Sequence, residues 1–172
     1  EELRKAFTKD RYAIKNGIGY LSEDRKRYGL ALGLSVSDNM MMGNYNKFSH
    51  FLMVQKKDIN KTAKEEVKSL NIKTPSINQL VKNLSGGNQQ KVVIANWLIK
   101  ECKILIFDEP TRGIDVGARS EIYSLMERLV SMGKSIIMIS SDLVEVLRMS
   151  DRILIMSEGK KTGELDIKGA TQ

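Results

Sequence analysis

The sequence has 172 residues, of which 28 are Lys or Arg and 21 are Asp or Glu, so its formal net charge is +7. With 41% hydrophobic residues and only 2 prolines, this composition excludes a disordered, collagen-like or proline-rich linker protein. The single cysteine excludes an internal disulfide, and no apolar run approaches the roughly 18 residues of a membrane helix. We expect a globular, cytoplasmic α/β domain without a signal peptide. The basic charge is compatible with nucleic acid, an anionic membrane surface or phosphate ligands, and it does not choose among them.

The first half of the chain is predicted to contain a short helix and strand followed by a longer helical region. The helix covers residues 10–16 and the strand covers Ile18–Leu21. Residues 22–29 are expected to form a polar loop, in which the basic run Arg25-Lys26-Arg27 is solvated. Residues 30–84 are expected to be mainly helical. Apolar side chains recur there at the spacing of one helix face, at Ile59, Ala63, Val67 and Leu70.

The second half alternates between helices and apolar strands. In chain order we expect a helix over 88–100, a strand over 104–107, a helix after the loop 108–117, a strand over 135–139, a helix over 143–148, a strand over 152–156 and a last strand after the turn 157–160. Apolar strands that alternate with helices are typical of a parallel sheet buried on both faces. The helical region 30–84 is then an inserted lobe.

Two adjacent carboxylates follow the apolar strand that ends at Phe107. Asp108 and Glu109 would lie at the carboxyl end of that strand, where ligands bind in open α/β sheets. A divalent cation relieves the repulsion between neighbouring carboxylates, and Mg²⁺ in ATPases uses one carboxylate together with substrate phosphates. The second carboxylate is then free to polarise a water molecule. The alternative is that the pair simply ends a strand in solvent.

A serine and two glycines precede the predicted helix that begins at residue 88. Gly86 and Gly87 would let the backbone approach a ligand closely, and Ser85 adds a hydroxyl at the positive end of the helix. This arrangement suits an anion, most naturally a terminal phosphate. The alternative is an ordinary Ser-Gly helix cap.

Together, the two motifs resemble the nucleotide-binding domains of ABC transporters. Residues 84–91 are similar to the signature motif of that family, and residues 104–117 to its Walker B strand and D-loop. Residues 20–24 fall where the family has its Q-loop, and residues 140–142 where it has its switch histidine. Three segments, 22–27, 86–91 and 109–118, carry a closer resemblance. They are similar to the second, C-terminal half of the tandem ATPases that import ribose, galactose and xylose.

The resemblance implies a role for each matching residue around the carboxylate pair. Asp108 stands in the place of the magnesium ligand, and Glu109 in the place of the general base. Two positions depart from the family pattern: Glu23 replaces the glutamine of the Q-loop, and Ser141 replaces the switch histidine. In the family, both positions sense the γ-phosphate. The resemblance therefore implies that Glu23 contacts nucleotide and that Ser141 takes part in catalysis.

The signature and D-loop segments are implied to bind nucleotide as well. In the family, two nucleotide-binding halves pair head to tail, and ATP lies between the phosphate loop of one half and the signature motif of the other. The resemblance therefore assigns Ser85, Gly86, Gly87 and Gln89 to ATP held by a partner half. Asp115 of the D-loop is also assigned to nucleotide binding.

The phosphate loop itself, G-x-x-x-x-G-K-[ST], does not occur in the sequence. Because the family places it upstream of the Q-loop, the implied fold is a P-loop NTPase-like, mostly parallel α/β sheet with an inserted helical lobe, lacking the N-terminal phosphate-loop portion. Residues 1–29 would begin the ATPase core with the Q-loop region. Residues 30–87 would form the helical sub-lobe that ends in the signature motif, and residues 88–172 the core with Walker B, D-loop and switch region.

The implied function is part of the ATP-binding and ATP-hydrolysing subunit of an ABC importer for a simple sugar, with ATP and Mg²⁺ as ligands. The chain alone is expected to be inactive. Its implied partners are a second nucleotide-binding half, transmembrane permease subunits and, indirectly, a sugar-binding protein, with no nucleic acid. Its implied location is the cytoplasmic side of the cell membrane, as a peripheral protein on the inner face.

Two alternative functions remain open at this stage. A regulatory or scaffold half would supply the signature and dock membrane subunits without hydrolysing ATP, and Glu23 and Ser141 favour it, whereas the intact pair Asp108 and Glu109 opposes it. An ABC-type ATPase that acts on nucleic acid is supported only by the charge of +7, because aromatic residues make up 6% of the chain and the basic residues are scattered.

Overall fold

The computed structural model describes residues 10–50 and 53–167. The α-helices in these residues are α1 (Asp10–Lys15), α2 (Val36–Met41), α3 (Lys56–Ser69), α4 (Gly86–Ile99), α5 (Val116–Ser131) and α6 (Leu143–Met149). The strands are β1 (Ile18–Leu21), β2 (Ser49–His50), β3 (Met53–Val54), β4 (Ile104–Asp108), β5 (Ser135–Ile139), β6 (Arg152–Ser157) and β7 (Lys160–Asp166). Short 3-10 turns cover Tyr45–Phe48 and Val81–Asn83, and a π-helical turn covers Arg25–Gly29.

Three strands form a parallel sheet in the order β1-β4-β5. Ile106 of the central strand β4 pairs with Tyr20 of β1 and with Ile137 of β5. Parallel neighbours need a long crossover connection, and α5 supplies it between β4 and β5. The predicted α/β fold with a parallel sheet is therefore confirmed, and the carboxyl ends of the three strands lie along one edge.

The prediction that the sheet is buried on both faces is wrong for the described part of the chain. On one face, Leu105 is fully buried and Trp97 of α4 packs so closely that a Cβ on Gly19 would lie 3.0 Å from its indole. On the opposite face, Ile137 and Ile139 are 53% and 49% exposed. Helix α4 packs on the first face, and alternate residues of β5 differ in burial.

The last two strands form a separate antiparallel hairpin instead of extending the parallel sheet. β6 pairs with β7, and the register shifts at Ile155. The connecting residues Glu158 and Gly159 have φ angles of 49° and 75°. Positive φ at both positions is typical of the tight turn that joins two antiparallel strands. So short a connection leaves no room for the crossover that a parallel neighbour requires.

Residues 30–84 contain the helices α2 and α3, but α-helix covers fewer than half of the described residues there, so the region is less helical than predicted. The α2 helix begins after Ser35, whose hydroxyl accepts from the Asp38 N–H at 3.0 Å. Met40 is fully buried, and Ile59 and Ala63 are buried in α3, as their helical spacing predicted. The region also contains the short strand pair β2–β3, which carries too few residues to show a strand pattern in the sequence.

Candidate functional site

Two acidic residues stand at the carboxyl edge of the parallel sheet. Asp108 ends β4 and is half-buried, and Glu109 follows it. The hydroxyl of Tyr20, on the neighbouring strand β1, donates to Asp108 Oδ2 at 2.5 Å. This hydrogen bond raises the pKa of Tyr20, because ionising the phenol would remove the shared proton and place a second negative charge beside the carboxylate. Tyr20 carries no sequence signal for this role, because its position beside Asp108 depends on strand register.

The backbone of Glu109 is held by the end of strand β5, and its side chain is held by the loop that follows β5. Glu109 has a left-handed conformation with φ of 46°, which is uncommon for a residue other than glycine. Its N–H donates to the Ile139 carbonyl at 2.9 Å, and its Oε1 accepts from the Ser141 backbone N–H at 2.8 Å. The predicted catalytic residues Glu109 and Ser141 are therefore in contact, through the main chain of Ser141 rather than its hydroxyl. Strained backbone of this kind clusters at functional sites.

A buried carboxylate ties the loops after β4 and β5 together. Glu145 is 2% exposed. It accepts hydrogen bonds from Thr111 Oγ1 at 3.0 Å and from Ser140 Oγ at 2.6 Å. Because a buried carboxylate is costly without donors, these two hydroxyls and Glu145 constrain one another. The arrangement fixes the loops that carry Glu109 and Ser141.

Ser85 occupies the N-cap position of α4 but does not cap the helix. Its backbone is extended, with φ of −62° and ψ of 158°, and its side chain makes no capping hydrogen bond. Instead, Ser85 Oγ accepts from Asn88 Nδ2 at 2.9 Å. The first N–H groups of an α-helix have no acceptors within the helix. The exposed hydroxyl and these N–H groups make the start of α4 suitable for an anion, and the alternative of an ordinary helix cap loses support.

The two glycines of this segment lie against other parts of the chain. A Cβ on Gly86 would lie 2.7 Å from Arg25 Nη2 and 2.9 Å from the Gly113 carbonyl oxygen. A Cβ on Gly87 would lie 3.1 Å from the Ala118 Cβ. Glycine is therefore required at position 86 by packing inside the protein, whatever ligand approaches from outside.

The side chain of Gln89 points into the protein. It is 4% exposed, and its Nε2 donates to the carbonyls of Val81 and Leu84, each at 3.2 Å. The amide therefore holds the segment that precedes the signature motif. In this structure it is turned away from the exposed hydroxyl of Ser85, and its expected contact with ATP finds no support.

A cavity of about 350 Å³ lies between the signature segment and the start of α5. Its lining residues are Lys73, Ser85, Gly87, Asn88, Asp115, Gly117, Ala118 and Glu121. Asp115 is the N-cap of α5, and its Oδ1 accepts from the Ala118 N–H at 2.9 Å. Three residues assigned to nucleotide by resemblance, Ser85, Gly87 and Asp115, therefore share one cavity.

The segment 22–29 is more ordered than the polar loop predicted for it. Glu23 forms an ion pair with Arg112, and both side chains are largely exposed. Lys26 and Arg27 are exposed as predicted, but Arg25 is only 8% exposed within the π-helical turn. The expectation of a solvated basic run is therefore wrong for Arg25. Its guanidinium contacts Arg112 and Gly113, which lie 87 and 88 positions later in the sequence.

The carboxylates of Asp108 and Glu109 suit a metal ion only if phosphate oxygens complete its set of ligands. Among the residues that the structure describes, no group of three or more His, Cys, Asp or Glu side chains is placed to enclose a metal. Mg²⁺ typically uses one or two carboxylates together with waters and substrate phosphates. Asp108, with Glu109 beside it, fits that donor set.

The comparison with known proteins agrees with this geometry. Residues 2–112 match the family described as ABC transporter. The chain is 58% identical over 160 residues to the xylose import ATP-binding protein XylG of Thermoanaerobacter pseudethanolicus, and 54% identical over 167 residues to the ribose import ATP-binding protein RbsA of Clostridium tetani. These matches cover 93% and 96% of this chain but 32% and 33% of the relatives. The chain therefore spans about a third of their length.

Solved structures with the same fold include proteins of ABC transporters. The structure of cbiO1 from Clostridium perfringens, described as part of the ABC transporter complex cbiONQ, has a TM-score of 0.74 and 27% identity, and the match covers 93% of this chain and 62% of that one. The dimeric structure of the bacterial ABC transporter cassette MJ0796 also has a TM-score of 0.74, at 24% identity, and covers 94% of this chain and 68% of that one.

The parallel sheet, the acidic pair at its edge and the open start of α4 define the P-loop NTPase-like fold of ATP-binding cassettes. The chain belongs to the ABC transporter family. The resemblance seen in the sequence is thereby confirmed, including its similarity to ATP-binding proteins of sugar import.

Proposed function

We propose that this chain is part of the ATP-binding, ATP-hydrolysing subunit of an ABC importer for a simple sugar. Within it, Ser85, Gly86 and Gly87 are supplied to ATP that a second nucleotide-binding half holds. Similarity to xylose and ribose import proteins along 93% or more of the chain supports sugar import. The observation that carries the second part is the uncapped start of α4, where the Ser85 hydroxyl is exposed and accepts a hydrogen bond from Asn88.

The hydroxyl of Ser85 is prepared to donate to a phosphate oxygen. Because its Oγ already accepts from Asn88 Nδ2, the hydroxyl proton is available to an incoming acceptor. The free N–H groups and the positive end of the 14-residue helix α4 stabilise the same anion. Asp115 lines the cavity beside Ser85 and orders the start of α5 that faces the nucleotide.

A second set of residues would serve a nucleotide at the carboxyl edge of the sheet. Asp108 would hold Mg²⁺, oriented by the Tyr20 hydroxyl, and Glu109 would accept a proton from the attacking water. Bound Mg²⁺ would supply charge stabilisation on the phosphate oxygens. The Ser141 N–H holds Oε1 of Glu109 and so leaves Oε2 to face the water.

The alternative of a regulatory half that binds without hydrolysing has its own support. Arg112 forms an ion pair with the carboxylate of Glu23, so that carboxylate is already engaged. The side chain of Ser141 is a hydroxyl and carries no positive charge. Both features weaken contact with a γ-phosphate near Asp108 and Glu109. Neither feature involves a direct contact with Ser85, so this half would still contribute its signature motif to the other site.

We propose transmembrane permease subunits as partners of the helical lobe. Large apolar side chains are exposed in the lobe and the turn before it: Tyr28, Leu34, Met42, Tyr45, Met53 and Val54. Exposed apolar side chains grouped in one region are typical of interaction sites. A second nucleotide-binding half and, indirectly, a sugar-binding protein complete the assembly, on the cytoplasmic face of the membrane. None of the described helices has the length and apolar character to cross a bilayer.

The proposal is tested by Ser85→Arg in the intact polypeptide that carries this segment. A long cationic side chain at the start of α4 fills the space of the terminal phosphate, and we expect ATP hydrolysis to fall at least a hundredfold, in line with the loss of an oxyanion-type contact. Ser131→Arg is the matched control, because Ser131 is exposed at the opposite end of α5. Steady-state phosphate release measures both. Near-normal hydrolysis by the Ser85→Arg protein contradicts the proposal.

A further inference from the structure

Arg25 is the one member of its basic run that the fold buries. It is 8% exposed, whereas Lys26 and Arg27 beside it are exposed. The π-helical turn Arg25–Gly29 directs it inward, after Asp24 accepts from the Arg27 N–H at 3.1 Å and so starts the turn. Burial lowers the pKa of Arg25, because the charged guanidinium has left water. A buried cation that is costly to maintain calls for a specific set of partners.

Those partners are two consecutive carbonyls in the turn at 112–113, where the D-loop begins. Arg25 Nη1 donates to the Arg112 carbonyl at 2.8 Å, and Nη2 donates to the Gly113 carbonyl at 3.2 Å. The two bonds leave from different nitrogens of one planar group, a geometry that the single ammonium of lysine does not reproduce. Arg25 therefore fixes both the position and the orientation of this turn.

The same guanidinium rests against the first glycine of the signature motif. Nη2 lies 2.7 Å from the point where a Cβ on Gly86 would stand, and the Gly113 carbonyl oxygen lies 2.9 Å from that point. Arg25 thus fills the space between the start of α4 and the turn at 112–113. Two of the three atoms nearest to that point, Nη2 and Cζ, belong to Arg25.

A second arginine makes the reciprocal connection. Arg112 reaches back to the carboxylate of Glu23, two residues before Arg25. Residues 23–25 and 112–113 are therefore joined in both directions, by Arg25 from one side and by Arg112 from the other. Residues 23–25 therefore support the turn at 112–113 and, through Arg25, the backbone behind Gly86 at the same time.

We propose that Arg25 is a positioning residue that sets the start of the signature motif against the turn at 112–113, and thereby aligns Ser85 with its phosphate. This inference rests on the function proposed above. Arg25 touches neither substrate nor reacting atoms; it acts through Gly86 and the two carbonyls. Its loss therefore impairs the alignment needed for turnover more than it impairs nucleotide binding, which the phosphate loop of the partner half dominates.

The test is a set of three variants of the intact polypeptide: Arg25→Gln, Arg25→Lys and the matched control Arg27→Gln. Phosphate release gives kcat and the KM for ATP, and titration with a fluorescent ATP analogue gives the number of nucleotides bound per polypeptide. We expect Arg25→Gln to lower kcat at least tenfold, with KM within twofold and the stoichiometry unchanged. Arg25→Lys should recover part of kcat because its single ammonium restores one of the two hydrogen bonds. Arg27→Gln should match the parent protein.

Three results overturn the inference. Unchanged kcat in Arg25→Gln shows that the contact does not align the motif. A fall in kcat that only tracks a fall in binding stoichiometry shows a loss of folded protein instead of a loss of alignment. A rise in KM at unchanged kcat shows a role in binding. If Ser85→Arg also hydrolyses ATP normally, the proposed function itself fails; if Ser85→Arg is inactive while Arg25→Gln is not, this inference alone fails.

Discussion

The carboxylate of Glu109 is oriented by a main-chain N–H, a group that every residue except proline supplies at position 141. The 2.8 Å bond from the Ser141 N–H keeps Oε1 in place, and the buried Glu145 holds the loops on both sides of it. The serine therefore preserves geometry but lacks the positive charge of an imidazolium beside a γ-phosphate. A charge-assisted hydrogen bond to phosphate is worth about 1.5–3 kcal/mol.

The missing charge at Ser141 predicts how ATP hydrolysis is divided between the two nucleotide sites of the intact polypeptide. If the bond that Ser141 cannot make acts only in the transition state, its loss slows the site of Asp108 and Glu109 by roughly 10- to 150-fold. Glu109→Gln should then reduce total ATP hydrolysis less than the equivalent change in the other half. Steady-state phosphate release from both variants, prepared and assayed together, measures this. A larger loss from Glu109→Gln contradicts the assignment of the slower site.

At the scale of elements, a buried lysine connects the signature helix to its surroundings. The side chain of Lys91, in α4, is 4% exposed, and its Nζ donates to the Asn71 carbonyl at 3.0 Å and to Glu121 Oε2 at 2.8 Å. Lys73 reaches the other oxygen of Glu121 at 3.3 Å. The lobe, α4 and α5 therefore meet at one carboxylate. The hydrogen bonds from Lys91 and Lys73 lower the pKa of Glu121 below its ordinary value of 4.5.

The lowered pKa of Glu121 predicts that its contribution to the stability of the fold decreases as the pH falls. A carboxylate whose pKa is lower in the folded than in the unfolded state stabilises the fold above the unfolded value, and this contribution is lost as pH falls through the folded value. At pH 7, Glu121→Gln should lower the free energy of unfolding by about 1 kcal/mol, a modest figure because the carboxylate is partly exposed. The difference from the parent protein should shrink steadily below pH 4.5.

Urea unfolding of both proteins between neutral and acid pH measures this effect. Glu127→Gln is the matched control, since Glu127 is exposed on the same helix. A deficit in Glu121→Gln that stays constant down to acid pH contradicts the account, because it would show that the carboxylate acts through packing and not through its charge.

At the scale of the whole molecule, the sequence predicted those features that local patterns encode. The acidic pair after an apolar strand, the Ser-Gly-Gly segment before a helix and the apolar face of α3 are each set within a few residues, and the family follows from their combination. Features that depend on distant parts of the chain could not be predicted. The Tyr20 bond to Asp108 and the Arg25 bonds to the turn at 112–113 span 87 or 88 positions, and no local pattern marks them.

The central claim is that Ser85 contacts the terminal phosphate of ATP held by the second half. Vanadate, trapped with Mg²⁺ and ADP in the intact polypeptide, takes the place of that phosphate and mimics the transition state. Ultraviolet light then cleaves the chain at serine residues in contact with vanadate, and mass spectrometry identifies the new ends. We predict cleavage at Ser85 that disappears in Ser85→Ala. Trapped vanadate that cleaves the phosphate loop of the other half but leaves the chain intact at Ser85 contradicts the account.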